Sequence, residues 1–248
     1  VGVGADQAYF LIGWMRPELV WLMDYDKQVV RVHRLHQLFF MEAAGPAGYL
    51  HLWSEGGRKA ALKLIARETS DAAMKKRLVH RYKNSAGRIS RRLQRVMKSM
   101  KIPSYLTDAE QYKFIRDRCL QGRVRALRAN LLDRRGIMGI AAAATALGIP
   151  VRAVYLSNAE EYWDYGSEFR ENLRALPADD RSVILRTRGS WVGNKDYRYV
   201  VQALENFQQA LAVKSFRNLG KHLALRKLLG RGDVDLIHLH IEVAEEQK

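Results

Sequence analysis

Apolar positions along the chain form two kinds of run that alternate. Short apolar runs, the mark of buried strands, are followed by longer stretches in which apolar residues recur with the helical period of about 3.6. Residues 1–3 read as the end of a strand and 6–15 as a helix. Residues 18–23 (Glu-Leu-Val-Trp-Leu-Met) read as a strand closed by Asp24-Tyr25-Asp26, and 27–41 as a helix. Gly45-Pro46-Ala47-Gly48 and Gly56-Gly57 are breakers. From Arg58 to about Leu120 only helices are expected. Ile89, Leu93, Val96, Met97 and Met100 make one apolar face, with Arg88, Arg91, Arg92, Arg95 and Lys98 on the others. Asn84-Ser85-Ala86-Gly87 is expected to separate two of these helices. Pro103 ends the last, and Thr107-Asp108-Ala109-Glu110 has the spacing of a capping box.

Alternation then resumes. Strands are expected at 124–132, 151–156 and 182–187, and helices at 136–147 and 160–176. Residues 197–202 begin either a strand or a helix, 216–229 read as helical, and 235–243 as a late strand. Alternating β and α elements imply an α/β fold: a mostly parallel sheet with helices on both faces. The all-helical stretch between the second and third strands then reads as an insertion, dividing the chain into 1–57, 58–120 and 121–248.

Charge sharpens that division. The 248 residues carry a net charge of +16. Between Arg58 and Lys101, 15 Lys/Arg face only Glu68 and Asp71, a net of +13. Basicity therefore belongs to one segment, which suggests a polyanionic partner, nucleic acid or an anionic membrane surface, or else a solvated helix face. With 48% hydrophobic residues the chain has material for a sizeable core. Its one cysteine, Cys119, excludes an internal disulfide and is compatible with a cytoplasmic location. No apolar run approaches the roughly 20 residues of a transmembrane helix. The opening Val1-Gly2, without methionine, predicts that a segment precedes it.

Candidate chemistry gathers at the expected strand ends. Gly2-Val3-Gly4-Ala5-Asp6 forms a strand-to-helix turn in which glycines admit a ligand close to the backbone. Asp24, ending the next strand, is placed to accept hydrogen bonds from ribose hydroxyls. Here the chain resembles the class I S-adenosylmethionine (SAM)-dependent methyltransferases, a Rossmann-like superfamily. It also resembles, less specifically, bacterial proteins of uncharacterised activity with the same Gly-Val-Gly-x-Asp-Gln opening. Val1-Gly2-Val3-Gly4 is similar to their first motif, and Trp21-Leu22-Met23-Asp24 to the second strand with its ribose-binding acid. Residues 124–133 are similar to the third strand, with Asn130 where the family has an adenine-contacting Asp. Residues 154–162 resemble the fourth strand and the polar turn facing the methyl group, and 169–187 the helix, turn and fifth strand. The resemblance implies SAM as cofactor. Gly2, Gly4, Asp6, Asp24, Asn130, Leu131 and Ser157 would contact it, and Ser157, Asn158 and Glu161 would be the catalytic residues, with Ser157-Asn158 bordering the acceptor.

The chain also departs from the family pattern. Asp6 stands where a small residue is usual, close to the methionine carboxylate, and would repel it unless it capped the helix or bound the ammonium. Ser157-Asn158 is not the Pro-Pro-Tyr type of signature, and the long basic insertion is atypical. A second reading is therefore a non-catalytic scaffold of the same fold that holds nucleic acid or membrane through its basic helices. A dinucleotide-dependent oxidoreductase would want glycine at Gln7. His238, His240 and Glu242 share one strand face and read as a polar sheet surface or a metal trio. His33 and His36 share a helix face with no evident partner, and Cys119 has no evident base. Glu160 or Glu161 is a general base or a solvated helix start. Tyr162, Trp163 and Tyr165 line a substrate pocket or pack the core.

Overall fold

The computed structural model describes residues 1–4, 6–99, 103–189, 197–219 and 236–242. Hydrogen bonding orders seven strands as β3-β2-β1-β4-β5-β6-β7. They are β1 (Gly2–Val3), β2 (Val20–Asp24), β3 (Val124–Arg128), β4 (Ala153–Tyr155), β5 (Val183–Gly189), β6 (Tyr197–Ala203) and β7 (Leu236–Leu239). The sheet is mostly parallel, with β5 and β6 antiparallel. The chain divides into two compact units, Gly4–Arg128 and Val1–Val3 with Ala129–Lys248.

In the Gly4–Arg128 unit, β2 and β3 pair in register from Val20↔Val124 to Asp24↔Arg128. Six helices accompany them among the described residues: α1 (Gln7–Met15), α2 (Lys27–Glu42), α3 (Pro46–Trp53), α4 (Arg58–Glu68), α5 (Ala72–Ser99) and α6 (Ala109–Leu120). Five of these lie between β2 and β3 in the chain. Their common core is aromatic: Tyr9, Phe39, Phe40, Tyr49, Trp53 and Tyr105 are fully buried. Asp26 starts α2 by accepting a hydrogen bond from the Gln28 amide (2.8 Å).

Several expected boundaries move, each for a local reason. Pro46 does not break the chain but occupies the first turn of α3, where its missing N–H costs nothing. Residues 84–87 do not divide α5. Ser85 is buried and returns its hydroxyl to the Arg81 carbonyl (2.8 Å), while Tyr82 and Ile89 keep the packed face continuous around it. The cap of α6 is Asp108 rather than Thr107, with Asp108 accepting from the amides of Glu110 and Gln111. Met100 and Lys101 lie outside the described residues.

In the other unit β1 pairs with β4, β4 with β5, and β6 with β7, all in parallel. Among the described residues three helices, α7 (Arg134–Ala146), α8 (Ser167–Arg174) and α9 (Leu204–Ala212), belong to it. The third strand stops at Arg128, because Asn130 accepts from the Leu132 amide (3.1 Å) and Asp133 caps α7. The helix expected at 160–176 is a 3-10 turn at Ala159–Glu161, a non-helical stretch through Gly166, and α8. The stretch is drawn inward by Tyr165, buried against Phe169. Residues 197–202 are strand, and α9 follows them unannounced by the sequence pattern. Residues 216–218 are not helical; 220–229, and the ends of the expected strand at 235 and 243, lie outside the described residues. Among the described residues, no helix is long and apolar enough to cross a membrane.

Candidate functional site

Gly4 adopts φ 94°, a conformation that favours glycine, and so turns the chain from β1 towards α1. The turn is held from two sides. The Gly4 carbonyl accepts from His33 Nε2 (2.6 Å). A carbonyl can only accept, so the Nε2 nitrogen carries the proton and His33 Nδ1 is left to face the Tyr9 hydroxyl (3.3 Å). Burial pulls the pKa of His33 down to about 4, against the bond to Gly4, which raises it. The imidazole is therefore neutral at pH 7. His36, one turn on, is fully buried with Nδ1 2.5 Å from the Tyr49 hydroxyl. Burial, and then the neighbouring His33, push its pKa well down.

The Gly4 amide on the other side donates to the Asp24 carboxylate, which also accepts from the amides of Asp26 (2.9 Å) and Tyr25. Half-burial raises the pKa of Asp24, while these backbone bonds oppose the rise. A carboxylate offers about four lone-pair positions. Three are engaged by the chain, which leaves capacity for one ligand hydroxyl.

Asp6 does not take the first of its two expected roles. It makes no side-chain cap on α1. Instead it is buried, with Oδ2 2.7 Å from Arg92 Nε on α5. Arg92 was expected on the outward basic face; the buried carboxylate draws it in. The charge beside the glycine turn is thereby compensated within the same unit.

In the Val1–Val3 and Ala129–Lys248 unit, Gly2 sits in β1 opposite Tyr155. Two residues beyond the end of β4, Ser157 lies at φ 55°, an uncommon conformation for a residue with a side chain, and its carbonyl accepts from the Thr187 amide (2.8 Å). Asn158 Nδ2 then donates to the Tyr162 hydroxyl (3.3 Å), and Tyr162 is exposed. The two glutamates that follow separate in role. Glu160 is buried and held by Arg186 Nε (2.8 Å) and the Tyr165 hydroxyl (2.8 Å). Arg186 lies 4.3 Å from the centre of the Phe207 ring. That arrangement makes Glu160 a core anchor and removes it as a mobile base. Glu161 is exposed and 3.2 Å from Arg188. Tyr165 packs the core, as the second of its two readings has it.

Asn130 is exposed and Leu131 buried. Their loop is held by the buried Asn172, whose Nδ2 donates to the carbonyls of Leu131 (2.9 Å) and Asp133 (2.8 Å). Burial pushes the Cys119 thiol up to about 12, so it is no nucleophile at neutral pH. His238, His240 and Glu242 are exposed, and no group of three potential ligands that could hold a metal occurs among the described residues.

Sequence reasoning missed Asn172 and Arg186 altogether, and the partners of His33 and Arg92. Only His33 carried a signal, its shared face with His36. A family model described as a domain of unknown function (DUF7790) matches residues 1–233. No curated protein matches the chain.

Proposed function

The chain belongs to the DUF7790 family, and for this member we propose SAM binding and methyl transfer on a Rossmann-like core. The observation that carries the reading is Asp24, which ends β2 beside a glycine turn with part of its hydrogen-bonding capacity unspent. It does so in a sheet whose first five strands follow the order 3-2-1-4-5. Doubly wound nucleotide-binding sheets use that order, and they place an acid at the end of the second strand for the ribose.

The residues present fit such a group. Gly4 offers no side chain to block approach, and Asp24 accepts a ribose hydroxyl. The Asp6–Arg92 pair supplies a compensated charge where a bare carboxylate would repel the methionine end. This removes the main ground for preferring a scaffold that has lost its cofactor. When bound, SAM supplies a sulfonium methyl, transferred in line to a nucleophile about 3–3.5 Å away. Gly2, Asn130, Leu131 and Ser157 enter the reading by motif. Ser157 and Asn158 border the acceptor, and the left-handed backbone of Ser157 fixes the direction in which that turn leaves β4. Glu161 is the exposed carboxylate of the turn. In this reading the basic helices at 58–120 are an insertion into the core, and the single cysteine, which excludes an internal disulfide, is what supports a cytoplasmic compartment.

Calorimetric titration with SAM, S-adenosylhomocysteine and NAD tests the cofactor. SAM and its demethylated product should bind, and NAD should not. Asp24→Ala should weaken SAM binding about ten- to a hundredfold, the worth of one charge-assisted hydrogen bond at roughly 1.5–3 kcal/mol. A variant that binds SAM as the parent does, or a parent that does not bind it, refutes the assignment.

A further inference from the structure

Helix α5 has 28 residues from Ala72 to Ser99, about 42 Å at 1.5 Å per residue, and contains no Asp or Glu. Leu78, Tyr82, Ile89, Leu93 and Val96 are buried along one side. Arg77, Arg88, Arg91, Arg95 and Lys98 are all exposed. At 100° per residue these five fall within an arc of about 80°. None of them makes an ion pair among the described residues. The neighbouring Arg67 on α4 is different: it is bound to Glu42 and Glu68. Arg92, on the same helix, is bound to Asp6. Along the outer stripe, among the described residues, no acid is paired with any of the five cations.

We propose that this stripe of α5 is a binding surface for the phosphate backbone of a nucleic acid, without preference for sequence. Four of its five cations are arginines, whose planar guanidinium pairs with phosphate oxygens in a bidentate fork. A single stripe of charge on one helix meets backbone and carries nothing that reads base edges. The membrane alternative is weaker on the same evidence. A helix lying on a bilayer inserts its apolar face into the lipid, whereas here that face is buried within the unit. The inference stands independently of the SAM reading, since the stripe belongs to α5 and not to the glycine turn.

Fluorescence anisotropy on the full chain tests it, using labelled single-stranded RNA, duplex DNA and phosphatidylserine vesicles at about 50 and 200 mM salt. Five phosphate contacts give a slope of log K against log salt of about −3.5 for a single strand and −4.5 for a duplex. The fourfold rise in salt then costs about a hundred- to five-hundredfold in affinity. Replacing Arg88, Arg91 and Arg95 by Gln should reduce the slope to about two contacts' worth, roughly −1.4 on the single strand. Circular dichroism and the thermal midpoint should not change, because these side chains make no ion pair among the described residues. Arg123→Gln with Arg125→Gln, which removes exposed charges before and on β3, should leave the slope as it was. The proposal is overturned if nucleic acid does not bind at low salt, if the triple variant keeps the parent slope, or if the vesicles alone are bound.

Discussion

Removing Arg92 should destabilise the Gly4–Arg128 unit more than removing Asp6, although the two make one ion pair. The Asp6 side chain is 7% exposed and that of Arg92 27%. In Arg92→Met the carboxylate is stranded, on a stem too short to reach water. Breaking a buried pair in this way costs up to about 3–5 kcal/mol, and the partial exposure of Arg92 places this case nearer about 2–4. In Asp6→Asn the guanidinium is left instead, and its long stem can carry it to solvent, at a cost of about 1–2 kcal/mol. The double variant has no charge to strand. It should be more stable than the sum of the single effects predicts, by about 1.5–3 kcal/mol. Urea unfolding followed by hydrogen exchange of peptides from α1 and α5 reads this unit by itself. With a slope of about 1–3 kcal/mol per molar, the Arg92→Met midpoint should fall by about 1 M or more. If the two single effects add in the double variant to within about 0.5 kcal/mol, the pair does not couple the glycine turn to α5. An Asp6→Asn variant less stable than Arg92→Met would refute the argument from reach.

Stability should also report on the buried residues behind the turn. His33 has a folded pKa of about 4 against an ordinary value of 6.5, so the unfolded chain binds the extra proton first. The contribution is complete above pH 6.5 and is lost as pH falls from there towards 4, to a total of about 3 kcal/mol. His33→Gln retains a donor for the Gly4 carbonyl and should flatten this part of a stability–pH curve; an unchanged curve would mean that the loss arises elsewhere. In the other unit, Arg186→Met should cost about 3–5 kcal/mol by stranding Glu160, and Glu160→Gln in that background should recover a large part of it. Thermal unfolding of both variants decides this, and no recovery in the second would count against the pair as an anchor.

The sequence by itself determined the alternation of elements, because a strand or helix that buries one face needs a repeating apolar pattern whatever it later packs against. The acid ending β2, the glycine turn and the concentration of charge between Arg58 and Lys101 were legible for the same reason: each is a property of neighbouring residues. What neighbours cannot encode, tertiary structure decided. Residues 84–87 have the composition of a break, yet α5 runs through them because Tyr82, Ser85 and Ile89 are buried on one side. Residues 160–176 have the composition of a helix. They are divided because Glu160 is held by Arg186, 26 positions on, and Tyr165 turns into the core. Asp6 looked like an obstacle to an anionic ligand until Arg92 arrived from a helix far along the chain. One of two lone histidines, His33, became the support of the glycine turn once α2 lay against it. In each case the deciding partner lies beyond the reach of local pattern, and burial makes its charge or hydrogen bond too costly to leave unmatched.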